Sequence, residues 1–288
     1  MTDSPPPQLV TTVAQLRSVL GAARRAGRRI GFVPTMGALH EGHLSLVRAA
    51  QAACDFTVVS IYVNPSQFGP NEDLAKYPRT LENDITLLAG CGTNVVFAPA
   101  NDEVYRPGHD TWVEVGAVAK PLEGLCRPGH FRGVATIVLK LLNMVQPDAA
   151  YFGQKDYQQA LVIRRMAADL DLPTAIRVCP IVREADGLAM SSRNRYLSLT
   201  ARQRAIVLSK SLQRANELVA SGERSAQIIM TQMRHILKTA EDAQIDYLVL
   251  VDADTLEPVE TVAGRTLAAL AVKVENTRLI DNCLLEPK

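Results

Sequence analysis

The stretch Thr57-Val58-Val59-Ser60-Ile61-Tyr62-Val63 is rich in β-branched and apolar residues and shows no polar–apolar alternation. A strand with one wet face alternates; a short run that does not is read as a strand buried on both faces, as in a parallel sheet covered by helices. Similar short runs fall at 30–34, 94–97, 149–152 and 175–182. Between them lie segments with apolar residues at helical spacing, at 43–53, 81–89, 133–145 and 157–169, after a first helix over 12–26 carrying Val13, Leu16, Val19, Leu20 and Ala23. Strand–helix–strand alternation of this kind predicts right-handed crossovers and an α/β, doubly wound parallel sheet over residues 1–182. Residues 1–8, polar and rich in proline, are expected to form a loose arm.

Past residue 182 the alternation stops. Two amphipathic helices, 200–221 and 224–240, are separated by Ser221-Gly222 and followed by strands at 247–251, 265–274 and 278–281. Helices followed by strands predict a second, smaller α+β domain over 183–288. A chain of 288 residues has room for two domains of roughly 100–200 residues each. Lys plus Arg total 31 against 30 for Asp plus Glu, so no strong positive field exists to attract nucleic acid. The run Arg24, Arg25, Arg28 and Arg29 reads as a solvated helix face. Five scattered cysteines without a Cys-x-x-Cys pair argue against a disulfide framework or a zinc site. With no signal-peptide pattern and no apolar run near ~20 residues, the expectation is a cytoplasmic protein without a membrane partner.

Three loops carry groups suited to phosphate chemistry. The first, PTMGALHEGH at 34–43, joins a buried strand to a helix. His40 and His43 there flank Gly42 at a helix N-terminus, where unpaired amides and about half a positive charge favour anions. Two imidazoles so placed can donate to phosphate oxygens and stabilise charge on a transferring group. The second, Gly153-Gln154-Lys155-Asp156-Tyr157-Gln158-Gln159, also follows a strand. Lys155 supplies a flexible point charge. Asp156 fits a ribose hydroxyl, an amide or a metal, and equally a helix N-cap, while Gln159 can bond a polar substrate. In the third, Met190-Ser191-Ser192-Arg193, two hydroxyls and a guanidinium suit a phosphate clamp. Asn64 and Gln67, in VNPSQF at 63–68, are neutral amides placed to recognise a hydroxy acid, and Arg127 is a candidate anion contact.

Together, PTMGALHEGH, VNPSQF, YPRTLENDI, RPGHFRGV, FGQKDYQQ and MSSRNRYLS, in this order, make the chain resemble the pantothenate synthetase family almost end to end. The resemblance implies the His-x-Gly-His nucleotidyltransferase fold, with a Rossmann-like N-terminal domain and a smaller C-terminal lid domain, and an ATP-dependent condensation of pantoate with β-alanine through a pantoyl adenylate. It further implies ATP contacts from Met36, Gly37, Ala38, Leu39, His40, Glu41, Gly42, His43, Gly153, Gln154, Lys155, Asp156, Val182, Met190, Ser191, Ser192 and Arg193. Of these, His43, His40, Lys155 and Arg193 would carry the chemistry. Gln67, Gln159, Asn64 and Arg127 would hold pantoate or β-alanine, Asp84 would associate with Mg2+, and the protein would be a homodimer. Other readings are a nucleotidyltransferase acting on a phosphate acceptor, which would not be expected to carry both VNPSQF and GQKDYQQ, or a nucleotide-binding protein without activity. A nicotinamide-dependent oxidoreductase would need a Gly-x-Gly-x-x-Gly turn that GFVPTMGALHEG does not supply.

Overall fold

Helices cover a parallel sheet in the first part of the chain, and a separate antiparallel sheet occupies the second. The computed structural model describes residues 6–70 and 72–287. The chain divides into two compact units, one running to Gly153 and then Gln158–Pro180, the other comprising Gln154–Tyr157 and the chain from Ile181. The break at Pro180 lies two residues before the boundary expected from sequence, and the excursion of 154–157 into the second unit was not anticipated.

In the first unit the elements are β1 (Gln8–Val10), α1 (Val13–Arg25), β2 (Ile30–Thr35), α2 (Glu41–Ala53), β3 (Phe56–Ile61), α3 (Leu81–Gly90), β4 (Val95–Phe97), α4 (Asn101–Val104), α5 (Glu123–Cys126), α6 (His130–Val145), β5 (Ala149–Gly153), α7 (Tyr157–Asp169, its first residue in the other unit) and β6 (Ala175–Cys179). The strand order β1-β4-β3-β2-β5-β6 is parallel throughout. Two carboxylates fix the entry to the central strand: Asp55 accepts the Arg29 amide at 3.0 Å and Asp148 the Ile30 amide at 2.6 Å. Ile30, Phe32 and Val33 on β2 are fully buried, as a strand covered on both faces should be. Truncating Phe32 to Ala would cost about 3–5 kcal/mol.

The order of strands reverses at β2, with β3 on one side and β5 on the other. In open parallel sheets the crevice at the carboxyl ends of such strands is where ligands bind. Thr35 ends β2 and Gly153 ends β5, so the two most phosphate-like loops both start there. One element went unforeseen: β1, a three-residue edge strand in register with β4 (Gln8↔Val95), begins at the last residue of the expected arm, whose first five residues lie outside the described residues. It is too short to show a period, and its partner is remote in sequence.

The second unit holds α8 (Leu199–Ala205), α9 (Val207–Ala220), α10 (Ala226–Leu237) and the antiparallel strands β7 (Gln244–Asp252), β8 (Thr266–Val274) and β9 (Thr277–Leu285). The single helix expected over 200–221 is two, meeting at Ile206. The Ser209 hydroxyl donates to the Ile206 carbonyl at 3.0 Å, a local bond that competes with the helical ladder. Leu208, Leu212, Ile229 and Met233 pack with Leu270 of β8 to form the core.

Candidate active site

The loop after β2 is shaped by two successive left-handed residues, Gly37 (φ 86°) and Ala38 (φ 51°). Left-handed geometry turns consecutive backbone amides to one side and makes an anion-binding concavity. Here the protein fills it with its own anion. Asp84 of α3, fully buried, accepts the Ala38 amide at 3.0 Å and the Leu39 amide at 2.9 Å, and Thr80 Oγ1 donates to both its oxygens at 3.2 Å. A side chain at position 37 would start 3.1 Å from Asp84 Oδ2 and from Ile61, so glycine is needed there for space as well as conformation.

Beyond this turn His40 caps α2. Its Nδ1 accepts the Gly42 amide at 3.2 Å, and His43 Nδ1 accepts the His40 amide at 3.4 Å, a reciprocal capping box built from two imidazoles. An Nδ1 that accepts an N–H bears no proton, so in each neutral ring the proton sits on Nε2. The ring centroids are 4.1 Å apart. Glu41, also expected near ATP, is exposed and ion-paired with Arg48. Ala38 and Leu39 are 1% and 2% exposed and give their amides to Asp84. They therefore support the loop, and their side chains present nothing to a nucleotide.

Asp84 was expected to bind magnesium. Both of its oxygens are held by loop amides and Thr80, and among the described residues no group of three or more His, Cys, Asp or Glu could hold a metal ion. Asp84 does not fit as a metal ligand; it holds the loop.

After β3, Asn64 caps the 3-10 turn Pro65–Gln67. Its amide nitrogen donates to Gln67 Oε1 at 3.1 Å and Gly133 O at 3.3 Å, while its oxygen accepts from the Ser66 and Tyr105 hydroxyls at 3.0 Å. Only 1% exposed and fully engaged, Asn64 orients Gln67 in place of the direct substrate contact expected of it. Gln67 Nε2 lies 3.2 Å from Met36 Sδ, so the loops after β2 and β3 meet at these two side chains.

Arg127 was likewise expected to meet substrate. Its guanidinium is held in a bidentate pair by Glu72 at 2.8 and 2.7 Å, and Nη1 lies 3.1 Å from His130 Nε2. Burial pushes the Glu72 carboxyl up, but the Arg127 bond and charge outweigh it and hold the group below its ordinary value. His130 Nδ1 lies 2.8 Å from the Gln67 carbonyl. A carbonyl only accepts and a guanidinium only donates, so His130 carries its proton on Nδ1 and accepts Arg127 at Nε2. Burial, helped by Arg127, lowers its pKa to about 4. This neutral imidazole fixes the Gln67 backbone. No sequence signal separated Glu72 from ordinary loop residues, and His130, though inside RPGHFRGV, gave no sign of this role.

Helix α6 approaches the Gln67 turn at Gly133, where a Cβ would lie 2.3 Å from the Ser66 carbonyl oxygen and 2.7 Å from Gln67 Cα. On α7, Gln158 is buried and bonded to the Glu123 amide and to the Val118 and Pro121 carbonyls. Gln159 is partly exposed and makes no side-chain hydrogen bond among the described residues.

The second unit carries the remaining expected residues. Gln154, Lys155 and Asp156 form a 3-10 turn, with Lys155 Nζ 3.9 Å from Asp156 Oδ1. Val182 O accepts the Met190 amide at 3.0 Å, closing a turn whose far side is the Arg183–Ala189 bridge. Ser191 Oγ then accepts the Arg193 amide at 3.3 Å, opening a second 3-10 turn, Ser192–Tyr196. Met190, Ser191, Ser192 and Arg193 are all partly exposed. Asn194, not foreseen, anchors this loop through Glu184 Oε1 at 2.7 Å and Ala189 O at 3.1 Å.

The family described as Pantoate-beta-alanine ligase matches residues 8–284. A pantothenate synthetase of Moorella thermoacetica is 55% identical over 279 residues, which span 97% of this chain and 99% of the relative. One from Roseiflexus sp. is 53% identical over the same shares. Among solved structures, pantothenate synthetase from Thermus thermophilus is similar with a TM-score of 0.93 at 44% identity, covering 97% of this chain and 100% of that one. A pantoate-beta-alanine ligase from Francisella tularensis, complexed with beta-gamma ATP and beta-alanine, is similar at 34% identity with a TM-score of 0.79, over 96% of this chain and 97% of that one.

Proposed function

The chain belongs to the pantoate-beta-alanine ligase family, and from that premise we propose how its residues divide the work of an ATP-dependent ligase forming a carbon–nitrogen bond. The reaction condenses pantoate with β-alanine. A pantoate carboxylate oxygen attacks the α-phosphorus of ATP and pyrophosphate leaves. The β-alanine amine then attacks the acyl carbon, loses a proton and displaces AMP. The activated acyl group stays on the nucleotide, so no protein nucleophile is needed. Positioning and charge stabilisation supply the rate.

The observation that carries the residue assignment is the imidazole capping box of His40 and His43 at the start of α2. With Nδ1 of each ring turned to the backbone, Nε2–H is the donor directed at phosphate oxygens. The helix terminus adds its partial positive charge. Lys155 and Arg193 neutralise the other phosphate oxygens, the Ser191 and Ser192 hydroxyls donate hydrogen bonds to them, and Gly153, Gln154, Asp156, Val182 and Met190 line the nucleotide. Gln67 and Gln159 recognise pantoate, Gln67 being oriented by Asn64 and carried on the backbone that His130 holds. Magnesium, which the family resemblance implies, would arrive with the ATP phosphates, as is usual for this hard, strongly hydrated cation. Family resemblance supports a cytoplasmic homodimer.

The test is release of pyrophosphate and AMP with ATP, magnesium and pantoate, with and without β-alanine. Sustained turnover should require both substrates. ATP cleavage with a phosphate-bearing acceptor in place of pantoate would leave the nucleotidyltransferase chemistry and remove the substrate assignment.

A further inference from the structure

Two consecutive residues of β9, Asp281 and Asn282, are 2% and 3% exposed, though Asp and Asn are poorly suited to strands and costly to bury. The Asn282 amide nitrogen donates to the Gln154 carbonyl at 3.0 Å and to the Lys155 carbonyl at 2.9 Å, and its oxygen accepts from Gln154 Nε2 at 3.3 Å. Backbone carbonyls only accept, so the orientation of this amide is fixed by its partners. Asp281 takes the Arg183 guanidinium on both oxygens, at 2.7 and 3.1 Å. Arg183 Nη1 in turn donates to Gly187 O at 3.1 Å, closing the turn that leads through Met190 to Ser191. Neighbouring strand residues project to opposite faces. β9 thus grips one loop on each side, and both are loops assigned above to the ATP phosphates.

We propose that Asp281 and Asn282 are positioning residues for the nucleotide chemistry. Asn282 sets the backbone that carries Lys155, and Asp281, through Arg183, sets the turn that feeds Ser191–Arg193. An apolar or β-branched pair would suit the sheet better, so these buried polar groups make sense as loop anchors. The proposal rests on the reading of Lys155 and Ser191–Arg193 as ATP contacts.

The experiment is pantoate-dependent exchange of pyrophosphate into ATP, which isolates adenylation, in Asn282→Asp, Lys155→Ala and the double variant. Asn282→Asp keeps the shape of the side chain and removes both donors. Exchange should fall roughly 10- to 100-fold with an unchanged KM for pantoate, since loss of fine positioning has effects of that order. The double variant should be no slower than Lys155→Ala alone, because residues acting as a unit are not additive. Wild-type exchange in Asn282→Asp, or losses that multiply in the double variant, would overturn the proposal while leaving the Lys155 assignment standing. Normal exchange in Lys155→Ala would remove both. Should Asn282→Asp fail to show a cooperative thermal transition, Asp281→Asn asks the same question through Arg183. A KM for ATP raised about tenfold with that for pantoate unchanged supports the proposal, and an unchanged KM for ATP overturns it.

Discussion

Asp84 Oδ1 accepts the amide of Leu39 at 2.9 Å, across 45 residues of sequence, and with its other oxygen on Ala38 it fills the concavity that the loop after β2 would offer to a phosphate. The loop is therefore held by a protein anion, and the two histidines follow directly after the residues it holds. Asp84→Asn removes the charge and places an amide where only an acceptor fits. It should destabilise the fold by about 3 kcal/mol and slow adenylation, leaving the magnesium dependence of turnover unchanged. A variant needing far more magnesium, with stability intact, would return Asp84 to the metal.

His43→Ala should lower the rate of adenylation by roughly 10²–10³-fold with a much smaller effect on ATP binding, as expected for a donor that acts on developing charge. Single-turnover measurement of pyrophosphate release, beside equilibrium ATP binding, separates the two. Near-normal turnover would end the phosphate role.

Gln67→Ala should weaken pantoate binding about tenfold, the effect of one hydrogen bond to a charged ligand. Calorimetric titration with pantoate reads it directly. An unchanged affinity would take Gln67 out of the acid pocket.

Gly133→Ala tests whether α6 sets the position of Gln67 from outside the substrate pocket. The added carbon would sit 2.3 Å from Ser66 O, so the Gln67 turn must move. We expect a loss of stability of about 1–3 kcal/mol and a higher KM for pantoate, with the KM for ATP little changed. Equal changes in both would indicate general disruption.

The pH dependence of stability has a definite sign. His130 titrates near 4 in the fold against an ordinary 6.5, so the unfolded chain takes up the proton first as the solution is acidified. The neutral ring is compatible with the fold at pH 7. Stability falls as pH drops from 6.5 to about 4, by about 3 kcal/mol in all. Arg127, Glu72 and Glu123 face this ring, and Glu72, held below its ordinary value, pushes the same way on acidification. His130→Asn, which keeps an N–H for the Gln67 carbonyl without titrating, should flatten the fall between pH 6.5 and 4 in urea denaturation. An unaltered slope would assign it to other groups.

Periodicity located the larger elements because burial on both faces of β2 and β3 leaves an unbroken apolar run, and α6, buried nearly all round, is apolar nearly all round. The same logic misses β1, whose three residues are too few to show a pattern. The histidines of α2 were legible from their spacing around Gly42 at a strand–helix junction. Asn64, Arg127 and Asp84 bond to neighbouring loops that the sequence did not reveal: a polar side chain looks the same in sequence whether it faces a ligand or a neighbouring loop. Glu72 and Asn282, and the role of His130 within RPGHFRGV, stayed invisible for a related reason. Each works through backbone carbonyls or a partner far along the chain, and carbonyls carry no sequence identity.

The bond from Asn282 to the Lys155 carbonyl spans 127 residues, and this bears on synthesis as well as on catalysis. On the ribosome, β5 and α7 can join the parallel sheet long before β9 exists. Until β9 emerges, the turn carrying Lys155 lacks the Asn282 amide that holds its carbonyl. On the reading of Lys155 as an ATP contact, a nascent chain with a finished first sheet should still lack competence for acyl activation until its second unit is made.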